Sequence, residues 1–321
     1  MVAQILIQRG NTVYYPAVEE GITLDWTRKG SPGKLKFNVI KDNVINFQEG
    51  DPVKLTVDGT DMFYGYVFSK QRSSSTPYLI EVTAYDQLRY FKNKDTYNYA
   101  NKTATEVIRM IADDFGLRVG TLENTGYKIK SRAEDNTSLF DIAQNALDET
   151  LRAKTQLYVL YDNVGALTLR NIESMKLNLL IDADTTGSYS YTSSIDSQTY
   201  NQVKVTYENN DSGKREVFIT KDSSRINAWG LLQYTDTVET SANGAAKAEA
   251  LLKLYNTKTR KLTVSDVLGD KRVRAGCSVV CKLNLGDINL QSFLMVEQVT
   301  HTFKNSEHTM SMKLRGGTFV A

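Results

Sequence analysis

The sequence has few of the residues that cross-link or break a chain. It contains 2 cysteines and 4 prolines in 321 residues. Two cysteines exclude a disulfide-rich mini-protein, and 41% hydrophobic with 24% charged residues excludes a disordered or collagen-like chain. Cys277 and Cys281 lie four positions apart in an apparent strand, which separates them by about 13 Å, so we expect two unbonded, buried thiols.

Long apolar runs are also lacking. The longest, such as residues 157–161, are far shorter than the ~18 residues that span a bilayer, so no membrane partner is expected. Residues 1–8 have no basic start followed by a long apolar core, so we expect no secretory signal and folding in the host cytosol. The length indicates about two domains as a prior.

Histidine is equally scarce. His301 and His308 are predicted on the two arms of one hairpin around residues 304–307. Two imidazoles supply half of a metal site at most, and the nearby Glu297 and Glu307 complete no recognised ligand spacing. The sequence therefore predicts no metal and no cofactor.

A catalytic device is not evident either. No serine stands in a nucleophile-elbow sequence. The acidic pairs Asp113–Asp114 and Asp148–Glu149 fall on polar helix faces, where carboxylates normally meet water, although a glycosidase needs only two carboxylates held ~5–10 Å apart. We predict that the chain is not an enzyme and keep a cell-wall hydrolase as the alternative.

The apolar residues alternate with polar ones at both ends of the chain. Up to Tyr99 this period of two predicts short antiparallel strands in a small barrel or sandwich, with a hairpin turn at Asp58–Gly59. From about residue 185 the period returns to two. The fold class is therefore α+β and mainly β, with a β domain at 1–99 and a second β domain at 185–321.

In the middle segment, residues 100–184, the apolar residues recur with the helical period of 3.6 in two places. Thr103 and Glu106 form a capping box for a helix that Gly116 ends, and Ser138 opens a second helix. We predict a small mixed α+β domain there, with boundaries near Tyr99 and Asp184. A further helix is predicted near 242–257, beginning after Ser241 and inserted in the second β domain. Its shared face comprises Ala248, Leu251, Leu252 and Tyr255.

The two β regions share one local pattern. Gly50 and Gly276 each stand three residues before a valine and five before a second apolar residue, at the start of a long strand that leads into a hairpin. A turn glycine before an alternating strand is common, so chance and an internal repeat both remain open.

Charge is unevenly distributed, at −4 for residues 101–200 and +5 for 201–321. Residues 251–282 alone carry +6, and within them Lys271, Arg272 and Arg274 are predicted to form a protein-docking surface. Stacking aromatic residues are missing there apart from Tyr255, so nucleic acid is the less favoured partner. The 18 tyrosines suit protein interfaces and half-buried strands equally.

Several stretches near residues 81–116 and 294–314 resemble a known family. Residues 81–90 (EVTAYDQLRY) and 92–97 (KNKDTY), followed by the helix at 103–116, resemble the baseplate hub protein of contractile phage tails. Residues 294–301 (LMVEQVTH) and 309–314 resemble its closing hairpin. The branch is that of PBSX-like prophage elements and phage-tail-like bacteriocins, related to the late control gene D family, and the likeness in element order covers nearly the full chain.

The resemblance implies a structural role. The family's hubs are homotrimers in which each subunit has two similar tube-forming β-barrels flanking a mixed domain, so three chains present six quasi-equivalent positions. Such a ring adapts the six-fold tail tube to the three-fold spike. The implied partners are the chain itself, a tail tube protein or tube initiator, the spike protein and other baseplate proteins, in a virion tail or phage-tail-like particle assembled in the bacterial cytoplasm.

Overall fold

The fold is mainly β, as predicted. The structure, a computed structural model, describes residues 1–196, 198–209, 213–238 and 244–316. The strands are β1 Ala3–Arg9, β2 Thr12–Tyr14, β3 Val18–Thr27, β4 Lys34–Ile40, β5 Pro52–Val57, β6 Thr60–Gln71, β7 Leu79–Tyr85, β8 Lys94–Thr103, β9 Val119–Leu122, β10 Lys128–Ser138, β11 Tyr158–Asp162, β12 Leu167–Asn171, β13 Lys176–Asp182, β14 Thr186–Ser194, β15 Gln202–Asn209, β16 Lys214–Lys221, β17 Gln233–Val238, β18 Thr259–Leu268, β19 Ser278–Asn284, β20 Asn289–Lys304 and β21 Glu307–Arg315. The helices are α1 Ala104–Asp114, α2 Leu139–Lys154, α3 Ser223–Trp229 and α4 Gly244–Tyr255, with 3-10 helices at Gln87–Lys92 and Ile172–Met175.

Strands from both ends of the chain form one large sheet. Its order is β14-β18-β21-β20-β3-β4-β7-β6-β5-β1-β2, with β19 paired to β20 and β13 paired to β19. The long strand β20 makes this possible, because residues 289–295 pair with β19 while residues 298–303 pair with β3. Among the described residues these pairings have open ends and do not close into a barrel.

The sheet contains the same strand order twice. One series is β3-β4-β7-β6-β5-β1 and the other is β14-β18-β21-β20-β19-β13. Strands at corresponding positions in the two series follow one another in the same succession along the chain. The two series differ at their last pair, where β1 runs antiparallel to β5 and β13 runs parallel to β19. They also differ in one connection: six residues join β3 to β4, whereas β15 to β17 and α3 and α4 lie between β14 and β18.

Local sequence explains the predicted strands and turns. In β7 the alternating Ile80, Val82 and Ala84 are buried. Asp58 and Gly59 both have positive φ, at 44° and 74°, the geometry that a two-residue hairpin turn requires.

Two amphipathic helices build the core of the middle segment, as the sequence predicts. Thr103 caps α1 in a complete capping box with Glu106, and Ser138 caps α2 by accepting from Asp141 N. The apolar stripe of α1 is buried, with Val107, Ile108 and Ile111 at 0% exposure. The helices pack with residues of β8, β10, β11 and β12 in one hydrophobic cluster.

The chain divides into two compact units. The first contains Met1–Tyr189 and Thr263–Leu314, and the second contains the described part of Ser190–Leu262 with Arg315 and Gly316. In the second unit β15 lies between β16 and β17. Helix α4 packs Ala248 against Val203 and Val205, and the predicted start of this helix at Ser241 lies outside the described residues.

The three-part division near Tyr99 and Asp184 stays a prediction. Limited proteolysis tests it, and a first stable fragment ending within residues 62–85 would contradict it. In the part of the chain that the structure describes, no helix is both long and apolar enough to cross a membrane.

Candidate interaction surfaces

The three predicted docking residues occupy two environments. Arg272 is exposed and forms an ion pair with Asp270, Nη2 to Oδ2 at 2.5 Å, which lowers the pKa of the Asp270 carboxyl. Lys271 donates from Nζ to Thr60 Oγ1 at 3.0 Å. Both line an open groove of about 1020 Å³, together with the exposed Leu268. Lys271 and Arg272 are therefore available beside one groove.

Arg274 lies elsewhere, under aromatic rings. Its guanidinium carbon is 3.8 Å from the ring centre of Tyr161 and 4.9 Å from that of Trp26. Its Nη2 donates to the backbone carbonyl of Asp162 at 2.8 Å. Arg274 thus links β3 and β11 through its contacts with Trp26 and Tyr161. Its surroundings differ from those of Arg272, although the two residues are only two positions apart in the sequence.

The rest of the basic stretch 251–282 is not confined to one compact unit. Residues up to Leu262 belong to the second unit, and residues from Thr263 onward belong to the first. A single basic patch formed by all eight cations therefore has no support from this division.

The two histidines bind each other. His301 Nδ1 lies 2.8 Å from His308 Nε2, and His301 Nε2 lies 3.0 Å from the carbonyl of Val273. Because a carbonyl only accepts, His301 Nε2 carries the proton, and His308 Nε2 donates to His301 Nδ1. Burial, with His308 adding to it, lowers the pKa of His301 to about 3, so this ring is neutral.

This pair is structural in character. Both ring nitrogens of His301 are used, and a Cβ on Gly269 would lie 2.0 Å from His308 Cγ, so only glycine fits beside the second ring. Within the described ranges no group of three or more His, Cys, Asp or Glu side chains is placed to hold a metal ion.

Two buried carboxylates face Arg274. Asp86 accepts from Gly33 N at 2.8 Å and Leu88 N at 3.0 Å, and Asp162 Oδ1 accepts from Gly165 N at 2.6 Å. Burial, reinforced by Asp162, raises the pKa of Asp86 well above its usual range, and burial also raises the pKa of Asp162. The structure gives Asp162 Oδ2 no hydrogen-bond partner. Each of these two carboxyls therefore holds a proton more readily than a surface carboxyl does.

Raised carboxyl pKa values also occur in hydrolases, so the space around this pair matters. The adjacent cavity has about 20 Å³, enough for roughly one water and far too small for a sugar ring. One member of each acidic pair noted in the sequence is engaged as well: Asp114 accepts from the Tyr97 hydroxyl at 2.7 Å, and Glu149 pairs with Arg132 at 3.2 Å. This geometry supports a structural role for these carboxylates.

An exposed apolar row crosses three strands. Leu180 of β13 is in register with Val280 of β19, which is in register with Phe293 of β20. Leu180 and Phe293 are 42% and 46% exposed. Because β13 is paired on one side only among the described strands, this face is a second candidate contact surface.

Comparison with known proteins identifies the family. The family model described as YQBQ-like matches residues 22–315. The chain belongs to the YQBQ-like family. This YQBQ-like chain is 30% identical over 312 residues to the uncharacterized protein YqbQ of Bacillus subtilis strain 168, covering 94% of this chain and 93% of the relative. It is 29% identical over 312 residues to the phage-like element PBSX protein XkdQ of the same strain, covering 94% of each.

Solved structures agree with the family at the level of fold. The YQBQ-like chain is similar to the 43 kDa tail protein of prophage MuSo2 from Shewanella oneidensis, with a TM-score of 0.68 and 13% identity over 97% of this chain and 98% of the other. The PBSX-like resemblance found in the residues is thereby confirmed. The similarity to this prophage tail protein is one of fold.

Proposed function

We propose that this chain is the hub of a contractile tail baseplate, in which three copies form a ring that continues the six-fold tail tube and holds the three-fold spike. The observation that carries the proposal is the duplicated order of six strands within one chain. Three chains with two comparable segments each supply six similar positions, which is what a six-fold tube requires of a trimer.

The start of the equivalent hairpins supports the duplication. Gly50 N donates to Val67 O, whose own N–H donates to Asp51 O. In the second series Gly276 N donates to Val296 O, and Val296 N donates to Cys277 O. The same pair of backbone hydrogen bonds thus lies at the start of the hairpin β5–β6 and of the hairpin β19–β20.

The pair β20–β3 supports a proposal for the contact between copies. It links the second series to the first within a chain, through residues 298–303 and 22–27. In the two series β6 corresponds to β20, and β14 corresponds to β3. The equivalent contact would therefore pair the end of β6, beyond Val67, with β14, and these two strands are not neighbours within the chain. We therefore place β14 of one copy against β6 of the next, which repeats the internal contact around the ring.

The sequence of β14 suits this contact. The strand is a sheet edge among the described residues, and its nine residues, TGSYSYTSS, include no charge and no proline. Exposed edge strands usually carry lysine, proline or a bulge that prevents pairing with another chain. An unprotected edge is expected where pairing is the strand's function.

Cysteine cross-linking tests the contact. Ser69→Cys and Ser188→Cys, both at exposed positions, are combined in one chain, which is assembled with its tube and spike neighbours and then treated with a short bis-maleimide. Burial raises the pKa of Cys277 to about 11 and of Cys281 to about 12, so the native thiols react slowly. We expect a ladder of dimers and trimers, and no ladder when the exposed Ser174→Cys replaces Ser188→Cys. Equal ladders from both combinations, or none, would count against the contact.

The proposed setting follows the resemblance. The expected partners are a tube protein or tube initiator on one side, the spike on the other and further baseplate proteins around the ring, in a virion tail or a headless bacteriocin-like particle assembled in the host cytoplasm. A zymogram on bacterial walls separates this proposal from the hydrolase alternative. We expect no lysis zone, and a zone abolished by one Asp or Glu substitution would favour the enzyme.

A further inference from the structure

A chain of half-buried aromatic rings lies on the outer face of β6 and β7, next to the 3-10 helix Gln87–Lys92. Successive ring centres are 5.9 Å apart for Tyr64 and Tyr66, 6.5 Å for Tyr66 and Tyr90, 6.2 Å for Tyr90 and Phe68, and 5.5 Å for Phe68 and Tyr85. Each of the five rings keeps part of its surface in solvent. Tyrosine is enriched among residues that dominate protein interfaces, because it buries a large ring and keeps a hydroxyl for bonding.

Three of these rings, those of Tyr64, Tyr66 and Tyr90, form one wall of a groove of about 360 Å³. The opposite wall is the segment after α1, with Phe115 and Arg118. Gln87 holds this wall in place through two backbone bonds to Arg118, each 3.0 Å long. Gly165 closes the end, and a Cβ there would lie 2.6 Å from the Tyr64 ring. The groove is therefore formed before any ligand arrives, which lowers the entropic cost of binding.

The charge of the groove selects its ligand. Arg118 is the one charged residue that lines it, and its exposed guanidinium has no hydrogen bond or ion pair within the residues that the structure describes. Burial raises the pKa values of Tyr66 and Tyr90, so both hydroxyls stay neutral donors. An exposed guanidinium with no ion-pair partner within bonding distance and neutral hydroxyls at an aromatic groove complement a carboxylate next to an apolar ring or proline.

We propose that this groove, lined by Tyr64, Tyr66, Tyr90, Phe115 and Arg118, docks an acidic segment of another protein that inserts a proline or aromatic side chain between the tyrosines. A sugar is less suited, because the one amide in the groove, Gln87, already spends its oxygen and nitrogen on the Arg118 backbone. Single-stranded nucleic acid is less suited because one cation cannot follow a phosphate backbone.

Selection of peptides tests the groove directly. A random 12-residue peptide library is selected on the immobilised full chain, and clones that still bind the Arg118→Gln or Tyr66→Ser variant are removed. We expect the remaining clones to carry Asp or Glu next to proline or an aromatic residue. The best clone, synthesised as a peptide, should bind the Arg118→Gln variant at least about tenfold more weakly, the loss expected for one charge-assisted contact.

Matched controls keep the result specific. Arg109→Gln removes an exposed arginine of α1 outside the groove and should leave binding unchanged. Tyr90→Phe keeps the ring and should cost less than Tyr66→Ser. If no clone depends on both Arg118 and Tyr66, if the clones lack acidic residues, or if a 12-residue oligothymidylate displaces them, the assignment is wrong. If the only ligand is a second copy of this chain, seen as groove-dependent self-association, the assignment to another protein is also wrong.

The groove would give the proposed hub a partner of stated chemistry, but peptide binding to it does not require the ring. A protein that binds acidic peptides yet never forms trimers would refute the hub and keep the groove. A trimer that binds no acidic peptide would refute the groove and keep the hub.

Discussion

Gly50 and Gly276 occupy the same structural position, although 226 residues separate them. Their φ angles are 90° and 94°, and each donates its N–H over 2.8 Å to the carbonyl of a valine in the next strand, Val67 or Val296. Such φ values are open to glycine and strained for other residues. The pattern shared by the two sequences is therefore also shared in backbone geometry, and together with the repeated strand order this favours an internal repeat over chance.

The two glycines should nevertheless differ in their tolerance of alanine. Both substitutions introduce a positive-φ alanine and should lower the free energy of unfolding by roughly 1 kcal/mol or more. Gly276→Ala should cost more, because its Cβ would lie 2.8 Å from Val159 Cγ1, whereas nothing lies within 4 Å of the Cβ position at Gly50. Urea unfolding measures both values. A larger loss for Gly50→Ala would contradict this account.

His301 should make the protein less stable in acid. Its pKa is about 3 in the folded chain against an ordinary 6.5, so its contribution is complete above pH 6.5 and is lost as pH falls toward 3. Between pH 7.5 and pH 5 this group alone should lower the free energy of unfolding by roughly 2 kcal/mol.

The pH profiles of the unmodified protein and of the His301→Gln variant should differ by this amount, since the glutamine amide can donate to Val273 O and does not titrate. Trp26, whose ring centre is 5.2 Å from that of His301, provides a fluorescence signal for unfolding. The same pH dependence in the variant would show that another group is responsible.

The buried carboxylates should act in the opposite direction. The pKa values of Asp86 and Asp162 are raised above the ordinary 3.8, so the folded chain holds protons that the unfolded chain releases. Their contribution is complete below pH 3.8 and is lost as pH rises through the raised pKa. Each tenfold difference in proton affinity between the folded and unfolded chain corresponds to about 1.4 kcal/mol of stability.

Asp162→Asn should therefore be more stable than the unmodified protein at pH 7, with the advantage shrinking toward pH 4. Asp113→Asn, on the exposed face of α1, serves as the surface control. An advantage that is independent of pH would mean that the carboxyl does not titrate as described.

The docking prediction for the basic residues now divides in two. Lys271→Glu with Arg272→Glu should leave the melting temperature nearly unchanged and prevent particle assembly, because both side chains border the open groove. Arg274→Glu should unfold the protein by placing a third carboxylate beside Asp86 and Asp162.

Binding of random DNA to the unmodified protein completes this test. At physiological salt we expect a Kd near or above about 10⁻⁵ M, typical of weak non-specific contact. Tight DNA binding that is lost in the double variant, with particles still assembling, would assign the surface to nucleic acid.

The sequence was informative where structure is local and much less so where it is not. Helix α1 could be predicted because Thr103, Glu106 and the apolar stripe lie within one stretch of chain. The surroundings of Arg274 could not, because Trp26 and Tyr161 reach it from distant strands and nothing in the local charge pattern marks them. The aromatic groove was missed for the same reason, because Tyr64 and Tyr66 come from one strand while Tyr90, Phe115 and Arg118 come from later segments of the chain.

The single sheet was also beyond sequence reasoning. Alternation predicted strands at both ends of the chain but carries no information on which strands pair, so the link between β20 and β3 could not be foreseen. The repeat was visible only as one glycine pattern, because β1 and β13 meet their neighbours in opposite directions and the second series holds a long insertion.

The molecular mass of the native assembly tests the central claim most directly. The chain has a mass of 36.1 kDa, so native mass spectrometry of the protein bound to its tube and spike neighbours should show three copies, about 108 kDa of this chain per complex. The protein alone should show the same mass or a monomer that trimerises when a neighbour is added. A dimer, or a single copy in the complex with tube and spike, would contradict the proposed ring.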